Sequence, residues 1–436
     1  MNDRNQKFEQ LLEGAVSPYH TVLKARERLE AEGFEYLEAK QPWNVKAGGA
    51  YVTAFQGSTL FAFVLGELPG AEKKLRIGAA HTDFPGFVIK HHPDLEKEGY
   101  RQLNVEVYGG PILNTWLDRP LSVAGRVALK GKSVWEPQIR YVNIKQPLLT
   151  IPNLAIHMNR EVNKGIELNR QTDLLPVWGL SEGGAEKADF YHYLAEVLSV
   201  DPKDILDYDL RLYCMESPAY LGTKGELLSA PHLDNTTSVQ ALLDGITRAK
   251  ERAPKGIQMI ALFDHEEIGS RTKQGAASML MREVIKKLAD ALAEPEISAE
   301  TLLEDAVMLS VDVAHGVHPN YVGKMDVTNH PVLGKGFCIK EAGAQSYATD
   351  CEAIAVLKQI CRQKQIPYQT FVNRSDQAGG GTLGAAAAAF LPIPIVDLGI
   401  PLLAMHSARE LMGTADLAAL SECLEAFFTD VYKRQY

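Results

Sequence analysis

IQMIALFDHEEIGSRTKQGAASML, residues 257–280, is the stretch that decides how the chain is read. Its opening run, Ile257–Phe263, is mostly apolar and only seven residues long, which suits a buried strand better than a helix. Two adjacent acids follow, Glu266 and Glu267, and then a helical pattern over GAASMLMREVIKKLADALA. Adjacent carboxylates at a strand end cannot both point the same way, so one can hold a metal while its neighbour stays free as a base. An acidic pair in that place is by itself most often a solvated loop. The rest of the sequence changes the weighting, through His81, Asp234, Asp312 and His406.

Outward from this stretch, strands and helices alternate. SVQALLDGITRAKERA precedes it as a helix, AVMLSVD follows as a strand, and TDCEAIAVLKQICRQKQ leads as a helix into the strand YQTFVN. The strand IPIVDLG and the helix TADLAALSECLEAFFTDV come later, and the final KRQY carries no packing signal and is expected to fray. Upstream, Ser17, Pro18 and Gly33 punctuate a helix; YVTAF and TLFAFVLGE form a hairpin; KLRIGAA runs as a strand into His81-Thr82-Asp83. Such alternation predicts an α/β fold with a mixed, largely parallel sheet flanked by helices. Between about 91 and 230 the texture changes to short β-like runs with Gly turns, plus the helical DFYHYLAEVLSV. We read 91–230 as an inserted, mainly β domain, with 1–90 and 231–436 forming the two parts of the catalytic domain.

A chain of 436 residues exceeds one ordinary core and suggests two or three domains. The net charge of −10 argues against a nucleic-acid partner, which would need clustered Lys and Arg. Cys214, Cys338, Cys351, Cys361 and Cys423 are scattered without CxxC spacing, as expected of free thiols in a reducing compartment. The polar N-terminus lacks the apolar core of a signal peptide, and the apolar stretch around GAAAAAFLPIPIV is too short and Pro-broken to span a bilayer. A cytoplasmic protein without a membrane partner is the expectation.

His81, Glu267, Asp312 and His406 each fall at or just beyond a strand end, and Asp234 opens a helix. Open α/β sheets gather ligands outside the carboxyl ends of their strands, so these distant residues can converge. Two imidazoles and three carboxylates suit zinc, cobalt or manganese. Taken singly, each has a structural alternative: a satisfied histidine, or Asp234 as a helix cap.

Six motifs occur in order: HTD at 81–83, LDNTTS at 233–238, HEEIGSRTKQGA at 265–276, SVDVAHGVHPNY at 310–321, NRSDQAGGGTLG at 373–384 and AMHSARE at 404–410. Together they closely resemble the aspartyl aminopeptidase family, dinuclear metallopeptidases of the zinc exopeptidase superfamily. The resemblance implies a zinc exopeptidase-like fold and a hydrolase that removes the N-terminal residue from peptides with two divalent ions per subunit. It implies that Asp234 bridges the ions, that His81 and Asp312 complete one and Glu267 and His406 the other, that Glu266 is the general base, and that Asp83 orients a ligand imidazole. Lys340 and Tyr347 match a pocket for an acidic N-terminal side chain, although some relatives take neutral residues; the alternative is that Lys340 is a surface lysine ending a strand. His315 and His318 could line that pocket or hydrogen-bond structurally, with a substrate-side role favoured for one of them. His157 resembles a histidine lent to a neighbouring subunit; the alternative is a buried histidine of the inserted domain. In the family that domain mediates dimerisation, and dimers build dodecamers. Phe84, Asn153 and GGGTLGAAA depart from the family's usual residues, at positions that bear on specificity. Competing readings are a related dinuclear amidase or carboxypeptidase, which needs a binder for a free carboxylate, and a non-catalytic assembly protein on the same fold.

Overall fold

Four segments are buried along their whole or nearly whole length: Leu75–His81, Ile257–Phe263, Ala306–His315 and Ile395–Leu403. Burial on both faces is the condition of strands covered by helices above and below. In the computed structural model, which describes residues 3–68, 74–181, 189–294, 296–377 and 379–429, these four lie side by side and parallel. KRQY at 433–436 lies outside the described residues.

The chain divides into two compact units. The first comprises Met1–Asp83, Pro218–Met405 and Glu410–Tyr436. Its twelve-stranded sheet runs from Glu35–Tyr36 through Ala50–Phe55 and Thr59–Leu65, then through the parallel centre. It continues through Glu410–Gly413, Leu227–Ala230 and Ala219–Leu221, while Phe337–Glu341 and Tyr368–Val372 attach beside Ile395–Leu403. The sheet is therefore mixed, with a parallel centre, antiparallel neighbours on either side of it, and parallel pairs again at Glu35–Tyr36 with Ala50–Phe55 and at Phe337–Glu341 with Tyr368–Val372. Alternate strand residues feed separate cores. Ile260, Leu262, Leu309 and Val311 pack with the helices Pro18–Ala31, Leu233–Arg252, Cys351–Lys364 and Thr414–Thr429. Met259, Ala261, Phe263 and Met308 pack with Leu280–Leu292, Ala299–Glu304 and Leu383–Ala388.

The second unit, Phe84–Ser217 with His406–Arg409, holds a six-stranded antiparallel sheet. Its core includes Phe87, Trp116 and Phe190. Phe190 lies on the helix Phe190–Leu198, which is capped by the Asp189 side chain. The insertion falls at 84 and 217, not at the expected 91 and 230. The reason is pairing: Gly86–Lys97 already belongs to the smaller sheet, while Ala219–Leu221 and Leu227–Ala230 belong to the larger one.

The helix read after Glu267 also begins later, at Leu280. His265, Gly269 and Ser270 adopt positive φ of 65°, 96° and 61°, which coil residues 264–279 into turns. At Gly275 a Cβ would come 2.1 Å from the Ser270 carbonyl oxygen, so the loop closes only around glycine. Among the described residues, no helix is long and apolar enough to cross a membrane.

Candidate metal and catalytic centre

Parallel register brings the carboxyl ends of the central strands together. Phe263 pairs with His81, and Ser310 pairs with Ala79, so Asp312 extends past the last residue paired on that side. Asp234 arrives from the start of the Leu233–Arg252 helix, which is fastened to the same strand. Asn235 Nδ2 donates to the Val311 carbonyl at 3.0 Å, and Ser238 Oγ donates to the Asp312 carbonyl at 3.0 Å. The Asp234 backbone N–H donates to Glu410 Oε2 at 2.9 Å. Glu410 is 2% exposed, and nothing in the local sequence reading assigned it this task.

The side chains these elements carry face one another. His81 Nε2 lies 3.2 Å from Asp234 Oδ1 and 3.4 Å from Asp312 Oδ1. Three ligands at 2.0–2.1 Å from a tetrahedral zinc would stand about 3.3 Å apart, so the spacing of this donor set fits a divalent ion. His81, Glu266 and Glu267 form another group whose donor atoms lie within 4.8 Å of one another. All of His81, Asp234 and Asp312 are buried, an expensive place for charge without a compensating cation.

Asp83 does more than neighbour a ligand. His81 Nδ1 sits 3.0 Å from the Asp83 carbonyl oxygen and 3.5 Å from its Oδ1. The same carboxylate accepts the Glu266 backbone N–H at 3.0 Å and the Glu267 backbone N–H at 3.2 Å. One buried acid thus sets the imidazole and the turn that carries both glutamates.

Lys340, on the strand Phe337–Glu341, is 3% exposed. Its Nζ donates to the Val313 carbonyl at 2.8 Å, lies 3.4 Å from Asp312 Oδ2, and sits 4.6 Å from the centre of the Tyr347 ring. Tyr347 is buried, and its hydroxyl accepts from Asn373 Nδ2 at 3.3 Å. His315 is exposed and its ring lies 5.7 Å from that of Phe371.

The electrostatics follow from this crowding. Burial pushes the Glu266 carboxyl up to about 8; the neighbouring His81 opposes the rise, and Asp312, Asp83 and Asp234 add to it. For His81, burial acts downward, but hydrogen bonds to Asp234, Asp312 and Asp83 win and hold it well above its ordinary value. Burial acts upward on Asp312, yet the Lys340 ammonium and His81 hold its carboxyl well below the usual range.

Two of the sequence candidates belong to the second unit. His406 has a φ of 67°, and its Nδ1 lies 3.1 Å from the Gly110 carbonyl oxygen. His157 is exposed, not buried among the strands, in an irregular segment that also exposes Leu154, Ile156 and Met158.

Comparison with known proteins matches this architecture. The family model of the aminopeptidase I zinc metalloproteases (M18) covers residues 11–428. The probable M18 family aminopeptidase 2 of Clostridium novyi is 44% identical over 400 residues, 91% of this chain and 92% of that protein. The cryo-EM structure of the Ape4 and Nbr1 complex contains a chain that is 32% identical, with a TM-score of 0.91, covering 98% of this chain and 85% of that one. The structure of the S. cerevesiae mApe1 dodecamer is 26% identical, with a TM-score of 0.84, covering 98% of this chain and 96% of that one. This chain belongs to the M18 family of zinc metalloproteases and is a metal-dependent aminopeptidase.

Proposed function

We propose that the enzyme removes N-terminal residues from peptides with two divalent ions per subunit. His81 and Asp312 would hold one ion and Glu267 and His406 the other, with Asp234 available to both. Imidazole and carboxylate donors suit zinc, with cobalt or manganese as substitutes. When bound, such ions supply Lewis acidity, which makes a water acidic and polarises the scissile carbonyl. The remaining work falls to the chain. Glu266 takes the proton of the attacking water and returns it to the leaving amine. Asp83 keeps both glutamates and the His81 ring in place through its bonds to the turn and its closeness to Nδ1.

The N-terminal side chain is assigned to Lys340, Tyr347 and His315, acidic residues preferred and neutral ones accepted. The buried Lys340 cation favours a carboxylate there, while its contacts to Asp312 and Val313 compete with that role. The observation that carries the whole reading is the close grouping of His81, Asp234 and Asp312, with Glu266 among the charges acting on His81. A panel of aminoacyl-anilides, assayed with and without added metal, tests it. Hydrolysis of free-amine substrates only with metal is expected. No hydrolysis with any metal would point to a non-catalytic assembly protein, and activity confined to N-blocked substrates would point to an amidase.

We also infer a cytoplasmic homo-oligomer assembled through the inserted domain, with dimers building a dodecamer and His157 serving a neighbouring subunit's site. The exposed Leu154, Ile156 and Met158 around His157 form the kind of apolar surface a partner covers. Native mass spectrometry tests the assembly. His157→Ala is expected to lower turnover while leaving that mass unchanged; unchanged turnover would remove His157 from catalysis.

A further inference from the structure

Glu410 is a buried acid that the proposed chemistry leaves unused. We propose that it is a positioning residue for Asp234: by accepting the Asp234 backbone N–H, it fixes the direction from which that side chain meets the divalent ions. The inference rests on the two-ion reading and extends it to how the shared carboxylate is aimed.

The local backbone shows why Asp234 takes an outside partner. It stands at the start of the helix Leu233–Arg252, yet Asp234 (φ −78°, ψ 108°) and Asn235 (φ −119°, ψ 30°) do not have helical angles. The first N–H groups of a helix find no carbonyl within the helix, and the residue before the helix usually caps one of them with its side chain. His232 holds that place with a φ of 57° and makes no side-chain capping bond. Glu410 Oε2 supplies the acceptor instead, at 2.9 Å, and the Asp234 carboxylate faces His81 Nε2 at 3.2 Å. Register explains the reach. Ala230, the last residue of the strand Leu227–Ala230, pairs with Glu410, and the left-handed turn at His232 bends the chain between Ala230 and Asp234.

Two separate anchors result. Asn235 Nδ2 and Ser238 Oγ tie the helix start to the Val311 and Asp312 carbonyls of the strand Ala306–His315. Glu410 ties Asp234 itself to the strand Glu410–Gly413, which lies across Ile395–Leu403 from that one. Bonds to one strand alone would let the Asp234 peptide pivot, and bonds to two strands hold it. The residue type points the same way. Asp234 is buried like Glu410, and one buried carboxylate beside another is costly unless hydrogen bonds and cations compensate them. Asp83 repeats the device, since its buried carboxylate accepts the Glu266 and Glu267 backbone N–H groups. In both places an acid grips the backbone of a residue assigned to the site and leaves that residue's side chain available.

The test strips the full-length enzyme with a chelator and titrates zinc back into wild type, Glu410→Ala and Glu410→Gln, followed by calorimetry and Tm. Cobalt in place of zinc adds a visible spectrum that reports ligand geometry. Glu410→Ala is expected to weaken zinc binding about 10–100-fold, as the loss of a partner that orients metal ligands does, and to shift the cobalt bands. Its kcat on an aminoacyl-anilide should fall with KM little changed. Glu410→Gln keeps an acceptor of the same reach without the charge, so it should lie between wild type and Glu410→Ala in each readout. If Glu410→Ala does not fold, Glu410→Gln alone should still bind zinc more weakly than wild type. An acceptor that served structure alone would lower the Tm of the stripped protein and leave zinc affinity and the cobalt spectrum as in wild type. That result would overturn the proposal, and so would a Glu410→Gln variant that loses as much affinity as Glu410→Ala. A wild-type enzyme that takes up no metal would instead overturn the two-ion reading on which it rests.

Discussion

Two sets of buried or half-buried carboxyls in the larger unit obey opposite rules. Asp416 and Asp397 face backbone donors. Asp416 accepts the N–H groups of Gly334 and Gly336, both at 2.7 Å, and Asp397 accepts that of Ala348 at 2.6 Å. Asp234, Glu266 and Asp312 are instead gathered around His81, and their charges act on one another. An acid opposite an N–H group completes the backbone's hydrogen bonding and stabilises the fold by about 1–3 kcal/mol. Acids opposite acids destabilise it unless a cation joins them. On the proposed mechanism, the difference separates carboxyls that hold the structure from carboxyls kept for chemistry. Asp83 belongs to both sets, since it accepts two backbone N–H groups while lying against His81.

Metal removal strains this comparison most. Chelation is expected to abolish peptide hydrolysis and to lower Tm, because the cluster is left with more acids than the His81 and Lys340 cations offset; zinc should restore both. A chelated enzyme with unchanged Tm would show that the cluster is satisfied without an ion, like the Asp416 set. Next in size is Glu266→Gln, which keeps the shape and removes the proton carrier. Turnover should fall by about 10²–10⁴ with bound metal, measured by elemental analysis, unchanged. Tm should not fall, since one of several mutually repelling acids has gone.

Asp83→Asn probes the residue that sits in both sets. The amide can accept only one of the two glutamate N–H bonds and no longer carries charge beside His81. Metal affinity is expected to drop about 10–100-fold, in line with the loss of partners that orient metal ligands. A variant with wild-type affinity and only reduced Tm would move Asp83 wholly into the structural set.

Much of this organisation was legible in the sequence, for definite reasons. Strands such as Ile257–Phe263 announce themselves because burial on both faces demands continuous apolar residues. That His81 and Asp312 could meet was readable from a general property of parallel sheets, that the carboxyl ends of their strands open on one side. Asp234, on a helix, joined them through the resemblance of its motif. The bonds that fix these groups were not legible. Glu410 reaches the Asp234 N–H across 176 positions, and Asp83 reaches Glu266 across 183, and a contact between distant backbone and side-chain atoms leaves no period in the sequence. The late start of the Leu280–Leu292 helix was hidden for a similar reason. Positive φ at His265 and Ser270 is imposed by the surrounding loop, and neither residue type advertises it.

The smallest effect concerns Asp416, and it sets the scale for a carboxyl that serves structure alone. Burial pushes its carboxyl up to about 6, although the Gly334, Gly336 and Gly413 amides pull the other way. Because the folded value lies above the unfolded one, the folded state holds the proton more tightly. The resulting stability is complete below about pH 4, declines as pH rises through 6, and is constant above that. The rise from the ordinary aspartate range to about 6 caps the contribution at roughly 3 kcal/mol. Substitution by Asn should cost a fixed amount of stability through the lost acceptor, yet flatten the difference in Tm between pH 4 and pH 7 relative to wild type. Parallel pH profiles for wild type and Asp416→Asn would mean that the glycine amides outweigh burial and keep the carboxylate charged throughout. A backbone-facing acid would then be settled by its hydrogen bonds alone, and the contrast with the His81 cluster would be wider still.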